Sequence, residues 1–163
     1  MIEEFLVPLK ISLKVAIVAG MIVIILGTLA GRFFSKKSFK GKTLLETILM
    51  LPLVLPPTVV GFLLIVIFGR QSIFGKAIEW LFKQPIIFTW WAAVMASIVV
   101  AFPLMYQSAK AGFQGVDNEI EDAARVCGAN EREVFFFISI PLSLNAIISG
   151  SILSVARILG EFG

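Results

Sequence analysis

Four stretches of this chain carry no charged side chain: Val15 to Gly31, Thr47 to Phe68, Ile86 to Met105 and Phe135 to Ala156. A helix needs about 20 mostly apolar residues to cross the hydrocarbon core of a bilayer. The pattern therefore predicts four membrane-spanning helices, over about 11–31, 46–69, 86–108 and 138–159. A buried core in a soluble protein is a poor alternative, because too little polar sequence remains to cover so much apolar surface. Lys10 and Lys14 precede the first run, where their long stems can reach the headgroups. Trp90 and Trp91 lie near the start of the third, where an interfacial aromatic belt is expected.

Breakers mark the interior of these runs. Pro52, Pro56 and Pro57 interrupt the second, and Pro103 falls near the end of the third. Proline removes a backbone donor and clashes one turn back. In lipid the freed carbonyls need protein or water, so kinked backbone is expected to face protein or a cavity. Gly27 and Gly31 form a small-xxx-small pair that permits close helix approach.

Composition agrees with the pattern. The 163 residues are 58% hydrophobic and 15% charged, against about a quarter charged in soluble domains. The net charge of +3 reads as positive charge retained on the cytoplasmic side rather than as a nucleic-acid surface. With Cys127 alone and no histidine, an internal disulfide and a Ser-His-Asp or Cys-His catalytic group are excluded, and the composition argues against a dedicated His/Cys metal site. The Met-Ile-Glu-Glu-Phe-Leu start lacks the features of a removable signal peptide, so the first apolar segment is expected to be retained.

Basic residues set the expected orientation. Arg32, Lys36, Lys37, Lys40 and Lys42 place the first loop in the cytoplasm. Glu3 and Glu4 then lie outside with the N-terminus, as does the second loop with Arg70, Lys76 and Lys83. The third loop, about 110–137, lies inside, and the fourth span exits.

That third loop is the most informative segment. It reads as two short helices joined at a glycine. Asp117 or Asn118 can cap the first, and Ala123 and Ala124 give it a small surface that another protein can approach. Gly128 can take the left-handed conformation that ends the helix. Asn130 can cap the second helix with Glu133 at its third position, as in a capping box. Asp122-Ala123-Ala124, three residues, Gly128, nine residues, then Ile138-Ser139-Ile140-Pro141 resembles the coupling loop of ABC importer permeases. Asp122 stands for that family's glutamate and Ile140 for its leucine, and Glu121 beside Asp122 could share its role.

The resemblance implies an all-α, polytopic bundle of the type I (MetI-like) permease fold, one membrane domain over 1–163. It also implies a loop that docks into a separate ATP-binding subunit, and alternating access driven by ATP hydrolysis there. ATP and Mg would be bound by that partner, with no cofactor in this chain. Gly41-Lys42-Thr43 does not make a phosphate-binding loop, because Lys36 stands where the leading glycine is required. Further implied partners are a second permease copy forming a homodimer, an extracytoplasmic anion-binding protein and the lipid bilayer, but no nucleic acid.

Met50-Leu-Pro-Leu-Val-Leu-Pro-Pro-Thr-Val-Val-Gly61, Phe68-Gly-Arg70 and Ala156-Arg-Ile-Leu-Gly-Glu-Phe-Gly163 resemble molybdate permeases, over roughly Leu6 to Gly163. Molybdate is the expected substrate. Sulfate, thiosulfate and tungstate are alternatives, because selection in such importers rests mainly with the external binding protein. A secondary transporter would call for intramembrane acidic groups, and the four runs contain none; that class and a membrane scaffold remain the alternatives to an ABC permease. Arg157, four residues before Glu161, is a candidate for guiding the anion, with Ser97 and Asn145 as polar candidates on the pathway; the rival reading of Arg157 is a local ion pair. Such permeases have at least five core spans, so a final span is expected to be missing.

Overall fold

The computed structural model describes residues 2–69, 72 and 89–161, with side chains from residue 9 onward. Every regular element among them is helical. Helix α1, Ile2–Lys36, is continuous through the positions where the first loop was expected to begin, so Arg32 and Lys36 stand on its last turns. Helices α2, Lys42–Val54, and α3, Pro57–Phe68, divide the second expected span. A residue before proline is driven out of the helical region, and Leu55 is accordingly extended, at φ −73° and ψ 142°. Pro57 then starts α3 at a position where no backbone donor is needed. The two halves meet at 119°.

Helix α4, Trp90–Gln114, reaches several residues beyond the third expected span, into what had been read as loop. The start of that span, residues 86–88, lies outside the described residues, as do Arg70, Lys76 and Lys83. Helix α5, Asn118–Val126, and the single turn α6, Glu131–Val134, follow. A π-helical turn, Phe135–Ser139, and a short turn α7, Ile140–Leu142, lead into α8, Leu144–Glu161. Three described helices are long and apolar enough to cross a membrane, and a fourth crossing results if the bent α2–α3 pair is one span.

Helix α4 is the centre of the bundle, with α1 on one side and α8 on the other. Small residues bring the backbones together. A Cβ added at Gly27 would fall 2.5 Å from the Met105 side chain, and one at Gly31 would fall 2.7 Å from the Ala109 Cβ. Across the other face, Gly112 meets Ala146 and Gly150 meets Ser108 in the same way. Helices α1 and α4 run parallel: Lys14 Nζ lies 4.3 Å from the Trp90 ring near their first ends, and Arg32 lies 5.7 Å from the Phe113 ring near their last. Helix α8 is antiparallel, since Ser154 reaches the Ala101 carbonyl while Ala146 lies at Gly112.

Val15, Ala19, Val23, Val94, Met105, Ala109, Phe113 and Ile158 fill the core between the three helices. The outward side of α1 is also apolar, with Ile11, Leu13, Ile17, Met21 and Ile25 exposed. That surface suits hydrocarbon and would be a liability in water.

Candidate functional site

The segment after α4 folds into a hairpin whose local chemistry explains each turn. Asp117 precedes α5, and its carboxylate accepts from the Glu119 N–H at 2.9 Å, satisfying one of the helix's unpaired donors. The far end closes in a Schellman arrangement. The Ala129 N–H reaches the Ala124 carbonyl, and the Gly128 N–H reaches that of Arg125, both at 3.0 Å. Gly128 has φ +96°, which the glycine allows without strain. Asn130 then accepts from the Glu133 N–H at 3.0 Å, and Glu133 returns a carboxylate to the Asn130 N–H at 2.8 Å. This completes the box anticipated from the sequence.

The hairpin is anchored by Glu121, whose side chain is 1% exposed. Arg32 donates to it from both guanidinium nitrogens, at 2.7 and 3.4 Å. Lys36 lies 3.0 Å away, and Ser139 donates its hydroxyl at 2.8 Å. Arg125, one turn along α5, stands at 3.6 Å. Burial alone would push the Glu121 carboxyl up. The hydrogen bonds from Arg32, Lys36 and Ser139 outweigh it and hold the group at about 2, against 4.5 for a free glutamate. Lys36 also donates to Asn118 at 2.5 Å. Two of the five basic residues first read as an orientation signal are thus spent on α5.

The π-helical turn makes the Ser139 contact possible. The wider turn carries one extra residue; Ser139 is turned inward, fully buried, while Phe136 and Phe137 are 60% and 78% exposed. The Ser139 hydroxyl bridges Glu121 and the Val134 carbonyl.

Asp122, at the position of the family's glutamate, faces away and is 70% exposed. Its partner is Arg125 at 2.6 Å, which also donates to Glu131 at 2.6 and 3.2 Å. The hydrogen bond from Arg125 draws the Glu131 carboxyl below its usual range. The outer surface of α5 carries an apolar patch among its polar groups. Ile120 is 47% exposed and Val126 88%, with Ala123 and Cys127 beside them. A solvent-covered amphipathic helix buries its apolar side. Here Glu121 is buried, while Ile120, Ala123 and Val126 are outside beside the exposed Glu119 and Asp122. Of the other motif residues, Ala124, Ile138 and Ile140 are half-buried and Pro141 is exposed.

Sequence reading singled out Glu121 only as a neighbour of Asp122, and missed its partners. The available signal was the pair of adjacent acids, of which only one can face inward at any point on a helix.

The candidate pathway residues do not form one cluster. Arg157 donates to Glu161 at 2.7 Å, the local ion pair that the spacing allowed. Ser97 is buried and returns its hydroxyl to the Ala93 carbonyl at 2.8 Å. Asn145 is exposed, at the other end of α8 from Arg157, and its carbonyl accepts from Ser149. A polar contact not anticipated from the sequence joins α2 to α4: Glu46 accepts from Lys110 at 2.6 Å and from Tyr106 at 3.1 Å. Among the described residues, no group of His, Cys, Asp or Glu is arranged to hold a metal ion.

The chain is 65% identical over 161 residues to a Bacillus subtilis protein named for molybdenum transport, the permease YvgM, covering 99% of this chain and 71% of that one. It is 43% identical over 153 residues to the molybdenum transport system permease protein ModB of Escherichia coli K12, covering 94% and 67%. A sulfate transport permease, cysT of Prototheca wickerhamii, is 32% identical over 152 residues, 93% of this chain and 59% of that one. The pattern of the binding-protein-dependent transport system inner membrane component matches residues 23–163. With the family pattern over most of its length and a relative 65% identical, this chain belongs to that family of ABC importer permeases.

Proposed function

We propose that this chain forms the membrane path of an importer for molybdate, working by alternating access and powered by a separate ATP-binding subunit that docks on the α5–α6 hairpin. The observation that carries the mechanism is the exposed apolar patch on α5. Ile120, Ala123 and Val126 are offered outward beside Asp122, while Glu121 is locked inward. An apolar patch with a charged rim is what a specific protein interface needs. Support for molybdate comes from the names of the relatives with 65% and 43% identity.

In this reading the hairpin and the end of α1 lie in the cytoplasm and the N-terminus lies outside. Arg32 and Lys36 at the hairpin, with Lys37, Lys40 and Lys42 beyond it, supply the inside positive charge. ATP and Mg belong to the partner, a second copy of this chain completes the path, and an external binding protein delivers the anion.

The test is molybdenum uptake, by elemental mass spectrometry, in cells lacking their own molybdate importer. The cells carry this chain, its ATP-binding subunit and its binding protein, with sulfate in large excess. ATP-dependent uptake that resists sulfate establishes the function. Uptake abolished by sulfate reassigns the substrate, and uptake independent of the ATP-binding subunit removes the ABC mechanism for this chain.

A further inference from the structure

We propose that Glu121 is a positioning residue that delivers the movement of the docked hairpin to α1 and to the root of α8 at once, through Arg32 and Lys36 on one side and Ser139 on the other. The inference rests on the coupling role just proposed, and names the route by which coupling leaves the hairpin.

The geometry is specific. The hairpin is joined to the rest of the chain covalently, through the turns at either end, and at its edge by the exposed Lys36–Asn118 hydrogen bond. Its buried polar tie is the Glu121 carboxylate, which is surrounded by groups from three elements. Arg32 and Lys36 belong to the last turns of α1. Ser139 belongs to the π-helical turn that leads into α8. Arg125 belongs to α5 itself and ties Glu121 to the exposed Asp122 and Glu131. Each carboxylate oxygen is used: one takes Arg32 and Ser139, the other Lys36 and the second guanidinium nitrogen.

A buried carboxylate held by ionised donors is costly to leave unpaired. Any displacement of α5 must therefore carry these partners along or break the contacts. Helix α1 is packed on α4 through Gly27 and Gly31 with almost no room to slide independently. A pull at Arg32 is thus passed to the centre of the bundle. Without Glu121 the hairpin would still present Ile120, Val126 and Asp122 to its partner, but would be linked to the spans only by its ends and by the exposed Lys36–Asn118 contact.

The test uses the full chain assembled with its ATP-binding subunit in proteoliposomes. The readout is molybdate taken up per ATP hydrolysed. Glu121→Gln keeps the shape and removes the charge, and is expected to lower this ratio about tenfold. Arg32→Gln should do the same, and the double variant should be no worse than either single. Ser139→Ala, which removes one hydrogen bond and little volume, should lower the ratio two- to five-fold and serves if Glu121→Gln does not assemble. A merely structural role would reduce uptake and hydrolysis together and leave the ratio unchanged, and that result overturns the proposal. So does additivity of the Glu121 and Arg32 effects.

Val126→Arg separates this inference from the docking reading beneath it. If that variant fails to release the ATP-binding subunit, the docking reading is wrong and the inference falls with it. If it releases the subunit while Glu121→Gln transports at the normal ratio, the route through Glu121 alone is wrong.

Discussion

The Lys110 ammonium lies 2.6 Å from the Glu46 carboxylate, and this contact, with the Tyr106 hydroxyl 3.1 Å from the same oxygen, is the main polar tie between α2 and the centre of the bundle. Both charged side chains are only about one-fifth exposed. Removing Glu46 takes the hydrogen-bond acceptor from both Lys110 and Tyr106. Glu46→Ala is expected to destabilise the protein by about 1–3 kcal/mol, and the double variant Glu46→Ala/Lys110→Ala by less than the sum of the singles. Thermal unfolding of the purified protein in detergent checks both.

Gly31→Ala should be among the most damaging single-methyl additions in the bundle. The new Cβ would stand 2.7 Å from the Ala109 Cβ and 2.8 Å from the Lys110 backbone nitrogen, and backbone cannot swing away as a side chain can. Overpacking of this kind costs about 1–3 kcal/mol. Gly160→Ala on α8 meets nothing within 4 Å and should be neutral or stabilising by up to ~1 kcal/mol. The same unfolding assay ranks the two.

Gly128→Val meets open space, so its cost is confined to the backbone. At φ +96° a β-branched residue is strained by about 1–2 kcal/mol. The turn between α5 and α6 should re-form at another angle. The expected outcome is normal membrane insertion with reduced uptake per ATP, measured by immunoblot and by transport in parallel.

Acid should loosen the hairpin before the bundle. The folded Glu121 carboxyl, at about 2, lies below the 4.5 of a free glutamate. Its stabilisation is therefore complete above pH 4.5 and is lost as pH falls from there toward 2. The shift corresponds to about 3 kcal/mol. Hydrogen exchange of residues 118–134 should accelerate over this range in the wild-type protein. In Glu121→Gln it should be fast and far less pH-dependent.

The architecture was legible where one physical signal dominated. Uncharged runs marked the helices because hydrocarbon tolerates nothing else, and the Asp117, Gly128 and Asn130–Glu133 turns could be read from capping chemistry that acts over four residues or fewer. What was not legible depended on distance in the chain. Arg32 and Glu121 are 89 positions apart, and neither residue alone announces the other. Basic residues after a span serve equally as an orientation signal and as ion-pair donors, so Arg32 and Lys36 were read in the first way only. The choice between Glu121 and Asp122 was hidden for a related reason. It depends on which side of α5 meets Arg32 and Lys36 of α1, a tertiary contact that the loop's own sequence does not encode. The prolines at 56 and 57 promised a kink but not its size, because a bend of 119° is set by what α2 and α3 each pack against.

The caps on the hairpin have a thermodynamic consequence. With Asp117 closing one end of α5, the Schellman turn closing the other, and the Asn130–Glu133 box starting α6, the proposed docking element is ordered before any partner arrives. Ordering a flexible backbone costs about 1–2 kcal/mol per residue, and a disordered loop would have to meet that cost from its binding energy. This hairpin meets it within its own chain. Its association with a partner should therefore be a rigid-body encounter, with a heat-capacity change no larger than the apolar surface buried by Ile120, Ala123 and Val126 and by the partner surface facing them accounts for.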